Sequence, residues 1–165
     1  QLWVNLPAKD KMSAPKYQSI INSEMAKVNL PLNAGVVEVI AGEFNGTKGS
    51  ASTFSPLNIL NAKLNKNGKI SFNIPNSYNT ALLVIEGEVI VNDTEKVETD
   101  HLALMANDGE NFTVQANENA IVLVLSGQPL NEPIAAHGPF VMNTQQQLID
   151  AFNDYNTGKF GYLED

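Results

Sequence analysis

The chain has 165 residues but no cysteine and no arginine, because all ten of its basic residues are lysines. Without cysteine it can form neither a disulfide nor a thiolate metal site. Arginine is the side chain that best reads guanine and phosphate, and the formal net charge of -8 repels a phosphate backbone. We therefore expect no direct binding of nucleic acid.

Long hydrophobic runs are also lacking. No apolar segment approaches the roughly 18 residues that a membrane span needs, and no basic-then-apolar leader is present. The composition, 43% hydrophobic and 17% charged, is that of an ordinary globular domain. We expect no membrane association and a cytoplasmic location. The chain starts with Gln1 rather than Met, so we expect a processed or cut part of a longer protein.

Residues that could carry out chemistry are few. The two histidines, His101 and His137, are far apart in sequence and have no cysteine to join them in a ligand cluster. A turn or surface role is favoured for His101. Glu86 and Glu88 are predicted to share one face of a strand, where paired catalytic carboxylates are the alternative and solvated glutamates the favoured interpretation. No nucleophile elbow or phosphate-binding loop is found.

The middle of the chain predicts an antiparallel β-sandwich or barrel. Short β-rich runs are separated by turn signals such as residues 65–68, at the spacing typical of such folds. The predicted strands are residues 36–41, 57–64, 69–74, 81–85, 89–91, 101–105, 111–114 and 120–125.

The two ends differ from this pattern. Residues 1–20 predict an edge strand, which includes Trp3, followed by a linker. Near the other end, Thr144 and Gln147 form a capping box, apolar residues recur at helical spacing, and Gly158 is a natural stop. We therefore predict an amphipathic helix over residues 145–157.

The segment Glu-Pro-Ile-Ala-Ala-His-Gly-Pro-Phe-Val-Met-Asn-Thr at 132–144, with Gln-Leu-Trp-Val-Asn-Leu-Pro at 1–7, resembles the pirin family. Residues 15–18, 39–42 and 154–161 fit the same resemblance. It implies a mainly β fold, a cupin-type double-stranded antiparallel β-barrel (jelly-roll) with a C-terminal α-helix. It also implies three segments: an interdomain strand and linker at 1–20, the C-terminal cupin barrel at 21–143, and a helix and tail at 144–165.

A metal-binding cupin carries a His-x-His…Glu…Gly motif and a second motif with another histidine. Counted back from Gly87, the glutamate position is Thr80 and the histidine positions are Ile74 and Asn76, or Asn73 and Pro75 with a longer gap. Around Asp108-Gly109, the second motif places Phe112 at its histidine position. None of these side chains suits a divalent metal in that motif. We predict no metal site in this chain and an interior filled by Ile74 and Phe112.

In pirins, the first cupin binds iron or a related metal and the second binds none. Some pirins are quercetin 2,3-dioxygenases, and others are metal-dependent regulators that bind transcription factors or metabolic enzymes. The resemblance thus implies a C-terminal, metal-free cupin domain with a structural or partner-binding role, not an enzyme by itself. The alternatives are half of a metal-dependent quercetin 2,3-dioxygenase-like enzyme and a small-molecule-binding barrel module.

The resemblance further implies partners for this chain. The first is the N-terminal cupin of the same polypeptide, which would hold iron or another divalent metal, and a transcription factor or metabolic enzyme is a second. An exposed apolar seam at Leu2, Trp3 and Val4 would also favour self-association. No catalytic or cofactor-binding residue is predicted, and the candidates for interdomain or partner contact are Trp3, His137, Phe140, Phe152 and Tyr155.

Overall fold

The computed structural model describes residues 2–161, which divide into two compact units. The larger unit is a β-sandwich formed by residues 16–129. The smaller unit combines the N-terminal segment, up to residue 15, with the chain from residue 130 onward.

The larger unit contains twelve strands in the described residues. A six-stranded antiparallel sheet has the order β1-β2-β5-β12-β7-β10, and a four-stranded sheet has the order β6-β11-β8-β9. A short hairpin, β3-β4, completes it. The strands are β1 (Ala26–Asn29), β2 (Gly35–Ala41), β3 (Glu43–Phe44), β4 (Thr47–Lys48), β5 (Leu57–Leu64), β6 (Lys69–Asn73), β7 (Asn79–Glu86), β8 (Glu88–Val91), β9 (Glu95–Glu98), β10 (Leu102–Leu104), β11 (Asn111–Ala116) and β12 (Ala120–Gly127).

The core of the larger unit lies between the two sheets. Alternate residues of β5, β7 and β12 meet alternate residues of β6, β8 and β11, as the two-residue period of a strand requires. Its largest fully buried side chain is Phe72, which contacts the rings of Phe44 and Phe112 at centroid distances of 5.6 and 5.0 Å. An aromatic cluster therefore fills the centre of the sandwich.

The chain passes from one sheet to the other at Gly87, between β7 and β8. Gly87 has φ +79°, and a Cβ there would lie 2.5 Å from the carbonyl oxygen of Asn119. Both the backbone conformation and the close approach therefore require glycine at this corner.

The smaller unit joins both ends of the described chain. It contains a short 3-10 turn (Ala8–Asp10), the hairpin of β13 (Ala135–His137) and β14 (Phe140–Met142), and the helix α1 (Gln145–Asn156). Lys11 Nζ donates to the side-chain oxygen of Asn5 at 2.6 Å and to the carbonyl of Val141 at 3.0 Å. The Lys11 side chain thus links the N-terminal segment to the C-terminal hairpin by one hydrogen bond.

Helix α1 begins at the predicted residue and ends at Asn156, one residue before the predicted end. Thr144 accepts a hydrogen bond from the Gln147 backbone, and the Gln147 side chain accepts one from the Thr144 backbone, so the capping box is confirmed. Gly158 adopts φ +76°, the left-handed conformation expected just after a helix. No helix within residues 2–161 is long and apolar enough to cross a membrane.

All eight predicted strands are present, with ends that differ by one or two residues. The predicted edge strand in residues 1–20 is wrong, because residues 2–20 contain a 3-10 turn and no strand. The prediction also missed β1, the short β3-β4 hairpin, β9 and the β13-β14 hairpin. β9 reads Glu-Lys-Val-Glu and has one buried residue, Val97, so its apolar pattern is too weak to mark a strand.

Candidate functional site

An open cleft of about 260 Å³ lies at one end of the larger unit. We call it the mouth cleft. Its walls come from residues 74–80 after β6, from the β8-β9 turn, and from residues 103–112 between β10 and β11. Because three separate connections meet here, the cleft gathers side chains that are distant in sequence.

The residues at the predicted motif positions lie together around this cleft. Ile74, Asn76, Thr80 and Phe112 all line it, although they come from two motifs more than 30 residues apart. Ile74 and Phe112 are 5% and 6% exposed and belong to the core, which confirms that they fill the interior. The positions inferred from Gly87 for the first motif and from Asp108-Gly109 for the second therefore lie in one place.

The donor atoms at these positions do not fit a divalent metal. The side chains of Ile74 and Phe112 are hydrocarbon, and that of Asn76 is an amide. The Thr80 hydroxyl donates a hydrogen bond to Ser126 Oγ at 3.3 Å. A divalent metal in such a motif needs imidazole or carboxylate ligands. Within residues 2–161, no group of three or more histidine, cysteine, aspartate or glutamate side chains is placed to hold a metal ion.

Polar groups line the wall of the mouth cleft above its apolar floor. Four amides and two carboxylates face it together with Tyr78, and no lysine belongs to the lining. The amides are Asn76, Asn92, Asn107 and Asn111, and the carboxylates are Glu95 and Asp108. The sequence reading did not find this set, because its members lie on three loops whose meeting depends on the fold.

Glu86 and Glu88 do not form the paired carboxylates considered as an alternative. Glu86 ends β7 in the six-stranded sheet and Glu88 begins β8 in the four-stranded sheet, so they do not share one strand face. Glu88 accepts hydrogen bonds from Lys96 at 2.6 Å and from Asn117 at 2.7 Å. Those bonds, chiefly the one from Lys96, lower the pKa of the Glu88 carboxyl. This glutamate is an ion-paired residue at the start of β8.

The second notable feature is the outer face of the six-stranded sheet. Leu123 of β12 lies beside Leu83 of β7, which lies beside Leu102 of β10. The next row joins Leu125, Ala81 and Leu104 in the same way. Leu102 and Leu104 are 54% and 78% exposed. We call these two rows the outer apolar face.

A sequence signal for this face existed. Residues 81–85 and 120–125 are continuous apolar runs, whereas a strand with one solvated face alternates apolar with polar residues. Such runs indicate strands covered on both faces. The inner residues Val84 and Val124 are fully buried, while the outer residues of the same strands are partly or largely exposed.

A charged group lies on the same side of the sheet, on β2. Glu38 accepts hydrogen bonds from Lys63 at 2.9 Å and Asn61 at 2.8 Å, and Lys27 lies 3.6 Å away. Burial acts to raise the pKa of the Glu38 carboxyl, but these hydrogen bonds and the lysine charges outweigh burial and lower the pKa. The outer surface therefore changes from apolar to ion-paired across the sheet.

Four of the five predicted contact residues lie together in the smaller unit. Phe152 meets His137 and Phe140 edge-on at centroid distances of 5.5 and 4.9 Å, and Tyr155 lies 6.5 Å from Phe140. Trp3 is 60% exposed and stacks on no other ring among the described residues. His101 is exposed, and its Nδ1 lies 3.0 Å from the carbonyl of Thr99, as a turn histidine would. The part of these residues in partner contact stays a prediction.

Two antiparallel sheets around an aromatic core, with the motif positions at one end, define a cupin-type jelly-roll. The chain is 44% identical to a quercetin 2,3-dioxygenase from Acinetobacter baumannii, whose crystal structure it matches with a TM-score of 0.92 over 98% of this chain and 56% of that one. It is 36% identical to pirin of Mus musculus and 34% identical to a pirin-like protein of Solanum lycopersicum. Each match covers 98% of this chain, with 57% of the mouse protein and 56% of the tomato protein.

The family described as Pirin C-terminal cupin domain matches residues 59–161. The chain therefore belongs to the pirin family and contains its C-terminal cupin domain. It spans a little more than half the length of the curated relatives it matches.

Proposed function

We propose that this chain is a metal-free cupin domain that supports the metal-binding N-terminal cupin of a pirin-type protein. The observation that carries the proposal is the chemistry of the motif positions. Ile74, Asn76, Thr80 and Phe112 meet at the mouth cleft, but two of them close it with hydrocarbon and none supplies an imidazole or a carboxylate. Metal chemistry would then belong to the N-terminal cupin, as iron or another divalent metal.

The outer apolar face supports a packing role. Its rows of leucines cover three strands, and a contiguous exposed apolar surface of this kind marks a contact with another protein surface. The relatives contain additional sequence, since this chain covers about 56% of their length. We propose that the N-terminal cupin of the same polypeptide covers this face. A transcription factor or metabolic enzyme would be a further partner of the assembled protein in the cytoplasm.

A second candidate concerns the whole protein. The relative of 44% identity is titled a quercetin 2,3-dioxygenase, which favours dioxygenase chemistry for a full-length protein that includes this domain. The present chain would shape that enzyme without supplying a reacting group. Quercetin turnover by the metal-loaded full-length protein is the assay for this candidate, and no turnover would count against it.

Metal analysis of the purified 165-residue chain tests the metal-free assignment. We expect iron, nickel, zinc and copper to be far below one equivalent after each metal is supplied and the excess removed. One tightly held equivalent would overturn the assignment. The variant Ile74→His/Asn76→His/Thr80→Glu is the positive control, because it places two imidazoles and a carboxylate, the three protein ligands of an open metal site, at the first-motif positions.

The packing role needs a separate test. A separately expressed N-terminal cupin of the same full-length protein should co-sediment with this chain, and Leu102→Glu/Leu104→Glu should weaken that association by at least about tenfold, since two apolar contacts become charged. Leu32→Glu is the matched control, because Leu32 is a fully exposed leucine outside the face. Equal binding by both variants would refute the assignment of the face.

A further inference from the structure

We propose that the mouth cleft binds a small neutral polyhydroxylated molecule, of the size of one sugar ring. This proposal does not depend on the packing role, although Leu104 of the outer apolar face also lines one side of the cleft, and it differs from a site inside the barrel. The barrel interior is closed by the stacked rings of Phe72 and Phe112, which are 2% and 6% exposed. A ligand would therefore lie across the rim rather than enter the core.

The size of the cleft limits the ligand. Its volume of about 260 Å³ is just below the roughly 300–1,000 Å³ of clefts that hold drug-sized molecules. Its floor is apolar, with Ile74, Val91 and Phe112, and the half-buried ring of Tyr78 forms part of one wall. An apolar floor beside an aromatic wall suits the C–H face of a single saturated ring.

The hydrogen-bonding groups of the wall can both donate and accept. Asn92 accepts from the backbone of Thr113 at 3.0 Å and Asn111 accepts from Asn73 at 2.8 Å, which orients both amides and leaves their N–H groups for another acceptor. The side chains of Asn76 and Asn107 make no hydrogen bond among the described residues. Each offers a donor and an acceptor, and a hydroxyl group is the ligand group that satisfies both.

The charge of the residues that line the mouth cleft further restricts the class of ligand. Glu95 and Asp108 are acceptors that a hydroxyl can donate to, and neither has an ion-pair partner among the described residues. Because the lining carries two carboxylates and no lysine, a carboxylate or phosphate ligand would meet net electrostatic repulsion here, which the amide N–H donors would offset only in part. The geometry thus favours a neutral sugar or polyol over an anionic one.

The test is an NMR titration of the ¹⁵N-labelled 165-residue chain with methyl α-D-glucopyranoside and, in parallel, with D-glucuronate. The glucopyranoside should shift the amides of residues 76–80, 92–95 and 106–112, with a dissociation constant of about 1–10 mM, typical of a few hydrogen bonds in an open cleft. Glucuronate should bind at least about tenfold more weakly. No localised shift up to about 50 mM would overturn the proposal, and so would equal binding of the two ligands.

Substitutions of lining residues test whether the ligand binds in the mouth cleft. Asn76→Ala and Asn107→Ala should each weaken glucopyranoside binding about fivefold, as expected for one lost hydrogen bond. Asn29→Ala on the exposed side of β1 is the matched control and should bind as the parent does. Glu95→Gln/Asp108→Asn should raise the affinity for glucuronate. If this variant binds glucuronate with the affinity of the parent, while its amide spectrum shows a folded protein, the electrostatic argument is wrong.

Discussion

Phe112 occupies the histidine position of the second cupin motif, and its substitution tests whether that position has a structural role in this domain. It is 6% exposed, stacks on Phe72 at 5.0 Å, and forms the floor of the mouth cleft. Phe→Ala in a core costs about 3–5 kcal/mol of the free energy of unfolding. We expect about 3 kcal/mol for Phe112→Ala, the lower end, because water can enter the vacated space from the cleft.

The assay is urea unfolding followed by far-UV circular dichroism, which reports on the strands of the larger unit. The midpoint should fall while the slope with urea stays constant. Phe54→Ala is the control in the same unit, since Phe54 is 55% exposed, and it should cost less than about 0.5 kcal/mol. In a double-mutant cycle with Phe72→Ala, the coupling should be about 1 kcal/mol. A loss below about 1 kcal/mol for Phe112→Ala would refute the interpretation of this residue as a structural plug.

Three further predictions follow from local features. Gly87→Ala should cost more than about 2 kcal/mol, because it combines a left-handed φ with a clash against backbone, whereas Gly109→Ala, which meets no atom within 4 Å, should be nearly neutral in the same unfolding assay. Thr144→Ala should cost about 1 kcal/mol of helix stability through the lost cap, seen as faster amide exchange in the first turn. The pKa of the Glu38 carboxyl is lower in the folded state than its ordinary value of 4.5, so the ionised carboxylate stabilises the fold at pH values above 4.5. This stabilisation is lost as the pH falls through the folded-state pKa. The stability difference between the parent and Glu38→Gln should therefore be largest at neutral pH and shrink in acid, and a constant difference would contradict the assignment.

The strand framework was predictable from sequence because its strands carry strong apolar patterns. Residues 69–74 alternate and residues 120–125 are continuously apolar, so each identifies a strand without knowledge of its neighbours. The helix was predictable because its capping box and glycine stop are local. The motif positions could also be predicted, because Gly87 marked the first motif and Asp108-Gly109 the second, and the fold brings both to one cleft.

Other features depend on partners that are distant in sequence. The apolar run of residues 2–4 suggested a strand, but a strand forms only where a neighbour offers matching hydrogen bonds, and none pairs with these residues in the described structure. Glu86 and Glu88 have the spacing of a shared strand face, yet the left-handed Gly87 between them sends the chain to another sheet. Strand period alone could not reveal that corner.

The hydrogen bonds of Lys11 and Ala8 bear on how this domain can be recombined. Ala8 donates its backbone N–H to the Glu132 side chain at 2.8 Å, and Lys11 donates to the carbonyl of Val141. The smaller unit is therefore formed by two segments that come before and after the β-sandwich in the sequence. A crossover between two relatives anywhere within residues 16–129 would combine an N-terminal piece from one parent with a C-terminal piece from the other. The yield of folded chimeras should then depend on whether those two short pieces match, in addition to the match between the parental parts of the sandwich.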